Sequence, residues 1–524
     1  MSRMKWMFAL GGVVASAALW ACATMGQGGA EGGGQQGGGD PLTQAGTCAG
    51  PYPSYWQDPK FTSTGMWQGQ QISNQPPADW KGPIFRLSQK YPEALPPEEN
   101  VPWKAFNPFK AGLSQEDKRK QAYEYSWAVL RYIQEGNVDQ GASGGDIEKD
   151  WTLCNNPVRS WVHIPFQTYE PLGGREFIHG LTREAPVTFT MKNGTQLKST
   201  VWAVGFYNPR AAYTLGQTWR PDGKAVFPTS NVAFPEGAVI GKLLFTTATD
   251  KDIPILSNMP VWKANISDPA FCGCSLPKGQ ACSFQQLSQM CPRSEGQVTL
   301  MQLDIAVRDA RSPSGWAYGT FVADGQVKAG EKNPWNRLST LGLMWGNDVP
   351  PAGQLAIAYP ADPRKNGFAQ EVVEWEVADR WNATTDGGHL GCNSRLDGPA
   401  DSTRSSCLSC HMTGSVPDKN RKVPAFIVTP TDSSGKPIAT EGQCAQAPGQ
   451  PDLDATYFAE LPCSTPFSGT GVAKPQYPNG STQWVSTDFS LQLSISMVQW
   501  MEWQADQVEE ANGPRIMQGV LPGR

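Results

Sequence analysis

The chain has 524 residues, enough for two to four domains and a large buried core. Its 43 Lys and Arg against 48 Asp and Glu leave a net charge of -5, which excludes a broad basic surface, so no nucleic acid is expected as a partner. With 39% hydrophobic residues it is not a long disordered chain, and its 12 Cys suit an oxidising compartment.

Arg3 and Lys5 open the chain, and Trp6 to Ala21 is uncharged and mostly apolar. Residues 1–21 read as an export signal, since a spanning helix needs about 20 apolar residues. Leu19-Trp20-Ala21 before Cys22 resembles the bacterial lipoprotein box. That resemblance implies a lipidated Cys22, an N-terminal membrane anchor and, with no Asp after Cys22, an outer-membrane lipoprotein facing the periplasm. Residues 22–41 are Gly- and Gln-rich and read as a tether, because glycine is entropically costly to order without packing partners.

Residues 42–384 read as a β-rich, antiparallel sandwich-like domain. Its first part, 42–115, is rich in Pro and Trp and is expected to wrap the surface. Residues 115–134 predict one amphipathic helix with Tyr123, Trp127, Leu130 and Tyr132 on its apolar side and Gly136 beyond its end. Strands are then predicted at Trp161–Thr168, Val187–Met191, Val201–Phe206, Ala238–Thr246, Val298–Val307, Trp316–Val322, Leu341–Trp345 and Glu371–Val377, separated by Gly, Pro, Asn and Asp. No phosphate loop or HExxH sequence occurs. His163 and His179 read as structural histidines. The cluster Cys272, Cys274, Cys282 and Cys291 is expected to form two local disulfides, since its spacing is not that of a zinc knuckle.

Residues 405–412 read SSCLSCHM, in which Cys407, Cys410 and His411 form C-x-x-C-H, the attachment sequence of c-type haem. Two thiols at this spacing reach the two vinyl groups on one side of the macrocycle, and the adjacent imidazole enters beneath it as the proximal iron ligand. A single covalent haem c is therefore expected, with His411 on the iron. One such motif excludes a wire of several haems all attached this way.

RLDGPADSTRSSCLSCH at 395–411 and TDFSLQLSISMVQWMEWQA at 487–505 are similar to a family of bacterial exported monohaem c-type cytochromes. The resemblance implies that 385–524 is a mainly α-helical, cytochrome c-like haem domain at the end of a larger β-rich protein. The function it implies is periplasmic electron transfer with periplasmic redox partner proteins, rather than conversion of a substrate. A haem-dependent or peroxidase-like enzyme with an open distal site, or a haem-based redox or gas sensor, are the alternatives.

Small cytochromes c carry a distal Met some tens of residues after the motif, but no Met or His lies between Met412 and Met497. The distal candidates are Met497 and Met501, one turn apart on a helix predicted over 489–505, together with Met517 and His389. Trp500 and Trp503 read equally as a haem wall or as core. Cys392, Cys444 and Cys463 are expected to brace this region.

Overall fold

A computed structural model of the chain describes residues 85–139, 150–167, 175–267, 293–348, 362–385, 390–417 and 484–500, apart from a few positions inside those stretches, together with Gly141 and Ile147. The export signal, Cys22, the tether, His389, Met501, Met517, Trp503 and all the predicted disulfide cysteines lie outside the described residues.

The long helix α1 spans Gln115–Gln134. Ser114 caps it, its hydroxyl accepting from Asp117 N at 3.0 Å, while Glu116 and Asp117 in the first turn and Arg131 in the last complement the helix dipole. Gly136 follows at φ 74, a left-handed position that glycine occupies without a Cβ penalty. The bounds agree with the sequence reading, and so does the inward face at Leu130 and Tyr132, with Trp127 half-buried and Tyr123 outside it. Tyr125, Val129, Tyr132 and Ile133 are buried, whereas Tyr123 is 43% exposed.

Eight strands form one open antiparallel sheet: β1 (Thr182–Thr190), β2 (Gln196–Tyr207), β3 (Val239–Thr246), β4 (Val261–Ser267), β5 (Arg293–Arg308), β6 (Trp316–Ala323), β7 (Leu338–Met344) and β8 (Glu371–Val373). The order is β1-β2-β3-β5-β6-β7-β8, with β4 pairing to β5. Thr299 pairs with Thr246 on β3 and with Val261 on β4, so those two neighbours lie on opposite edges of β5. The first half of β5 thus carries β4 on the edge whose second half carries β6. Helix α2 (Pro209–Thr218) follows β2, capped by Asn208, whose side-chain oxygen accepts from Ala211 N and Val239 N, each at 3.0 Å. Helix α3 (Trp375–Thr384) follows β8, and its Trp381 indole donates to Ala323 O on β6 at 3.0 Å.

Side chains alternate across a strand, so the register sorts them into two faces. Leu303, Ile305, Val307, Leu243, Val239, Ala317 and Phe321 share one face. Trp127 of α1 packs edge-on against Phe321 there, with ring centroids 5.3 Å apart. The opposite face holds Gln302, Asp304, Ala306 and Arg308 of β5, Lys242 of β3, Trp316, Tyr318 and Thr320 of β6, Gly342 and Met344 of β7, and Glu371 of β8. The C-x-x-C-H segment lies on this second face. Leu408, Val416, Val485, Phe489, Leu493 and Met497 are buried in the same continuous core as the sheet.

The architecture is therefore mixed α/β, an open sheet with helices packed on it, and not the expected sandwich. Trp161–Thr168 contributes only the single bridge Val162–Tyr207 among the described residues, and the predicted strand Glu371–Val377 ends at Val373 before turning into α3. Within 385–524 the described residues hold the five-residue helix α4 (Cys407–His411), a two-stranded ribbon of β9 (Ser415–Pro417) and β10 (Trp484–Ser486), and helical residues 491–497. These pieces make no specific cytochrome c-like fold. No helix of the described residues is long and apolar enough to cross a membrane.

Candidate haem-attachment site

Helix α4 is short because its ends are tied down on either side. Ser406 N donates to Ser409 Oγ at 2.8 Å and Cys410 N to Ser406 O at 3.1 Å, closing the single turn. Gly414 N donates back to His411 O at 3.0 Å where the turn ends. Three residues apart, Cys407 and Cys410 sit on one face of that turn, and His411 follows immediately. All three residues are only partly buried.

The turn is fixed to the sheet at several points. Cys407 N donates to Leu396 O at 3.0 Å, and Leu408, 1% exposed, directs its N–H at Met344 Sδ 3.4 Å away. Thr320 Oγ1 lies 3.7 Å from Cys407 Sγ. Tyr318 lies beside His411 with ring centroids 4.6 Å apart. A Cβ on Gly342 would collide with the Val372 carbonyl of β8 and also press on Leu396 Cδ1 at 2.9 Å, so the glycine lets β8 pair closely with β7 under the segment before the motif.

The His411 ring is aimed by a residue far away in sequence. Its Nδ1 lies 3.1 Å from Phe489 O, and Tyr318 donates its hydroxyl to the same carbonyl at 3.2 Å. Phe489 and the preceding Asp488 have φ of 63 and 53, a left-handed pair that is strained for residues with a Cβ. Asp488 secures this turn: its carboxylate accepts from Phe234 N at 2.6 Å and from the Trp316 indole at 3.3 Å, and lies 3.7 Å from Arg308 Nε. Among the described residues Nε2 of His411 makes no hydrogen bond. Burial brings the imidazole down to about 4, with Lys242 adding to the effect against the opposing Phe489 contact, so the ring is neutral near pH 7.

Beneath Cys407 the sheet carries an acidic cluster. Gln302 Nε2 donates to Asp304 at 2.8 Å and to Asp401 Oδ2 at 2.6 Å, while Ala400 N donates to Gln302 Oε1 at 3.0 Å. Asp397 adds another buried carboxyl, Asp304 stands opposite Thr320 in the β5–β6 register, and Lys242 pairs with Glu184 at 3.1 Å. Burial, and then the charges of Asp397, Asp401 and Asp304, hold the Cys407 thiol well above its usual range. A redox-active C-x-x-C pair needs the opposite, a thiolate stabilised by positive surroundings.

The cysteine and histidine side chains fit a c-type haem. Cys407 and Cys410 would form its two thioether bonds, and the free Nε2 of His411 is the atom an iron would take. The donor pattern matches the usual one for a ligating His, whose second nitrogen is held by a carbonyl or carboxylate. The group would supply reversible one-electron chemistry. Among the described residues no group of three or more His, Cys, Asp or Glu is arranged to hold a metal ion on its own.

Of the distal candidates only Met497 is described, fully buried in the core on helical residues 491–497. Trp500 packs against Phe227 at 5.3 Å and Trp219 at 6.4 Å, an aromatic group beside the core. His163 is a core residue, its Nδ1 accepting from Ser88 N at 3.3 Å, and burial holds it neutral well below its ordinary range. His179 stacks on Trp262 at 4.2 Å. Neither is brought to the motif. Sequence reading missed Phe489, Asp488, Tyr318, Thr320 and the acidic cluster, for which the local signal was a pair of polar residues, Gln302 and Asp304, at alternate positions of the otherwise apolar stretch 300–307. Comparison with protein-family models, with curated proteins and with solved structures finds no match for this chain.

Proposed function

We propose that the chain binds one c-type haem through Cys407 and Cys410, with His411 on the iron, and serves as a single-electron carrier outside the cytoplasm. The observation that carries this reading is the His411 Nδ1 contact to Phe489 O, which leaves a neutral imidazole with Nε2 available beside two cysteines on one helical turn. The raised Cys407 thiol supports it too, because a redox-active C-x-x-C pair works through a stabilised thiolate. The partly buried motif leaves an edge through which an electron can pass to a docked redox protein.

In this reading the chain belongs with the exported monohaem cytochromes that its motif segments resemble. The basic start, the apolar run and Cys22 support an outer-membrane lipoprotein with the folded body facing the periplasm. The sheet supplies the platform that holds the motif. Met497, Met501, Met517 and His389 remain the distal candidates.

Absorption spectra of the holoprotein in both redox states test the electron-transfer role. A low-spin spectrum with slow or absent CO binding to reduced protein is expected. A high-spin spectrum with rapid CO binding would overturn simple electron transfer and indicate an open distal site.

A further inference from the structure

The acidic cluster has more carboxyls than the sheet can neutralise. Asp304 (β5), Asp397 and Asp401 (the segment before the motif) and Glu184 (β1) face one lysine, Lys242 (β3), which is already paired with Glu184 at 3.1 Å. Asp397 Oδ2 is buried with no hydrogen-bond partner. Gln302, fully buried, donates to both Asp304 and Asp401 and so holds them together rather than discharging them. Cys407 Sγ lies 3.7 Å from Thr320 Oγ1, Thr320 stands opposite Asp304 in the strand register, and Gln302 joins Asp304 to Asp401. Asp304 and Asp401 keep partly exposed edges, which gives protons a route from water.

We infer that this cluster binds one proton when the haem attached at Cys407 is reduced, so that the protein moves a proton together with its electron. The inference rests on the haem reading. In balance, one electron comes from a reduced partner protein, one proton comes from water, one carboxylate of the cluster becomes a carboxylic acid, and the partner is left oxidised by one electron. Reoxidation returns the proton. The physical cause is Coulombic. An iron held on the haem at Cys407 would add a positive charge when oxidised and favour carboxylates, and its reduction would remove that charge from buried, poorly screened groups.

Burial, with the mutual repulsion of the carboxyls, holds Asp304 and Asp397 well above the ordinary carboxylate range, and burial raises Asp401. Burial works against the charge of Lys242, but Glu184, Asp401 and Asp304 outweigh it, so the lysine stays charged and does not itself take part. Among the described residues the other titratable groups facing the cluster are Cys407, held as a thiol until it is alkylated by haem, and His411, held neutral.

The test is a spectroelectrochemical titration of the full-length holoprotein from about pH 5 to about pH 9. At fixed ambient potential the oxidised-to-reduced ratio should rise close to tenfold per pH unit across part of that range, which for one electron is about 59 mV. Asp304→Asn and Asp397→Asn should each flatten or displace that dependence while keeping the haem attached. A flat wild-type potential overturns the inference, as does a slope unchanged in both variants. Redox-difference infrared spectra of the wild type give a second reading that needs no variant. A carboxylic-acid carbonyl band should grow on reduction and shift in D2O, and its absence contradicts the proposal. The haem reading fails separately, by absence of covalent haem, and a haem-loaded protein with a flat potential refutes only the proton coupling.

Discussion

His411 Nδ1 and the carbonyl oxygen of Phe489 lie 3.1 Å apart across 78 residues of chain. The contact couples the local C-x-x-C-H motif to a distant, strained turn. The turn holds its left-handed shape because the Asp488 carboxylate is gripped by Phe234 N, the Trp316 indole and Arg308. Asp488→Asn removes the charge from that grip and should release the carbonyl. The haem should stay attached, while the absorption spectrum and potential of the iron shift and stability drops by about 1–3 kcal/mol. Equilibrium denaturation and a redox titration read both effects. A destabilised variant with an unchanged spectrum and potential would show that Phe489 does not orient the imidazole.

The two cysteines and the histidine should separate cleanly. Cys407→Ala with Cys410→Ala should abolish covalent retention of haem on denaturing gels. His411→Ala should leave attachment possible and alter the iron spectrum. An attached haem in the double variant would place the linkage elsewhere in the chain.

Much of the fold was readable where the pattern was local. α1 was placed from its periodicity and Gly136, and seven of the eight strands, in whole or part, from short runs of branched and aromatic residues. The inward face of α1 was legible at Leu130, Tyr132 and in part Trp127, but not at Tyr123, which is as apolar as Tyr125 and yet stands exposed because the sheet lies on the other side of the helix. β4 was missed since Trp262, Ala264 and Ile266 alternate with Lys263 and Asn265 in a run too short to stand out. α2 had its signal in Asn208-Pro209, an N-cap followed by proline at the first turn. The haem motif was legible because covalent attachment demands a five-residue spacing. The surroundings of the motif were not, because Phe489, Tyr318 and the acidic cluster meet it only through sheet register and long-range packing.

Glu371 gives a pH-dependent prediction with a definite sign. Burial raises its carboxyl from 4.5 to about 8, against the pull of Arg395 and with Asp348 adding to the rise. Below the lower value the group is neutral in both states. Between the two, the unfolded chain loses its proton and the folded chain keeps it, so stability falls as pH rises, by up to about 1.4 kcal/mol per pH unit. Glu371→Gln removes this dependence. Urea denaturation at about pH 5 and about pH 8 should show the variant gaining on the wild type at the higher pH. A constant difference would mean that Glu371 ionises normally in the fold.

Gly398 marks the close approach of the segment before the motif to β5. A Cβ there would collide with the side-chain amide of Gln302, which is fully buried and holds Asp304 and Asp401. Gly398→Ala should therefore destabilise the protein by about 1–3 kcal/mol. Thermal unfolding of wild type and variant measures it, and an unshifted midpoint would show that the segment can move aside without loss.

The central claim is one covalent haem on Cys407 and Cys410. Alkaline pyridine reduction of denatured, full-length protein matured in its native host, with haem counted per chain, tests it most directly. One c-type haem per chain, lost in the double cysteine variant, is the expected result. No c-type signal from the wild-type protein would contradict the claim.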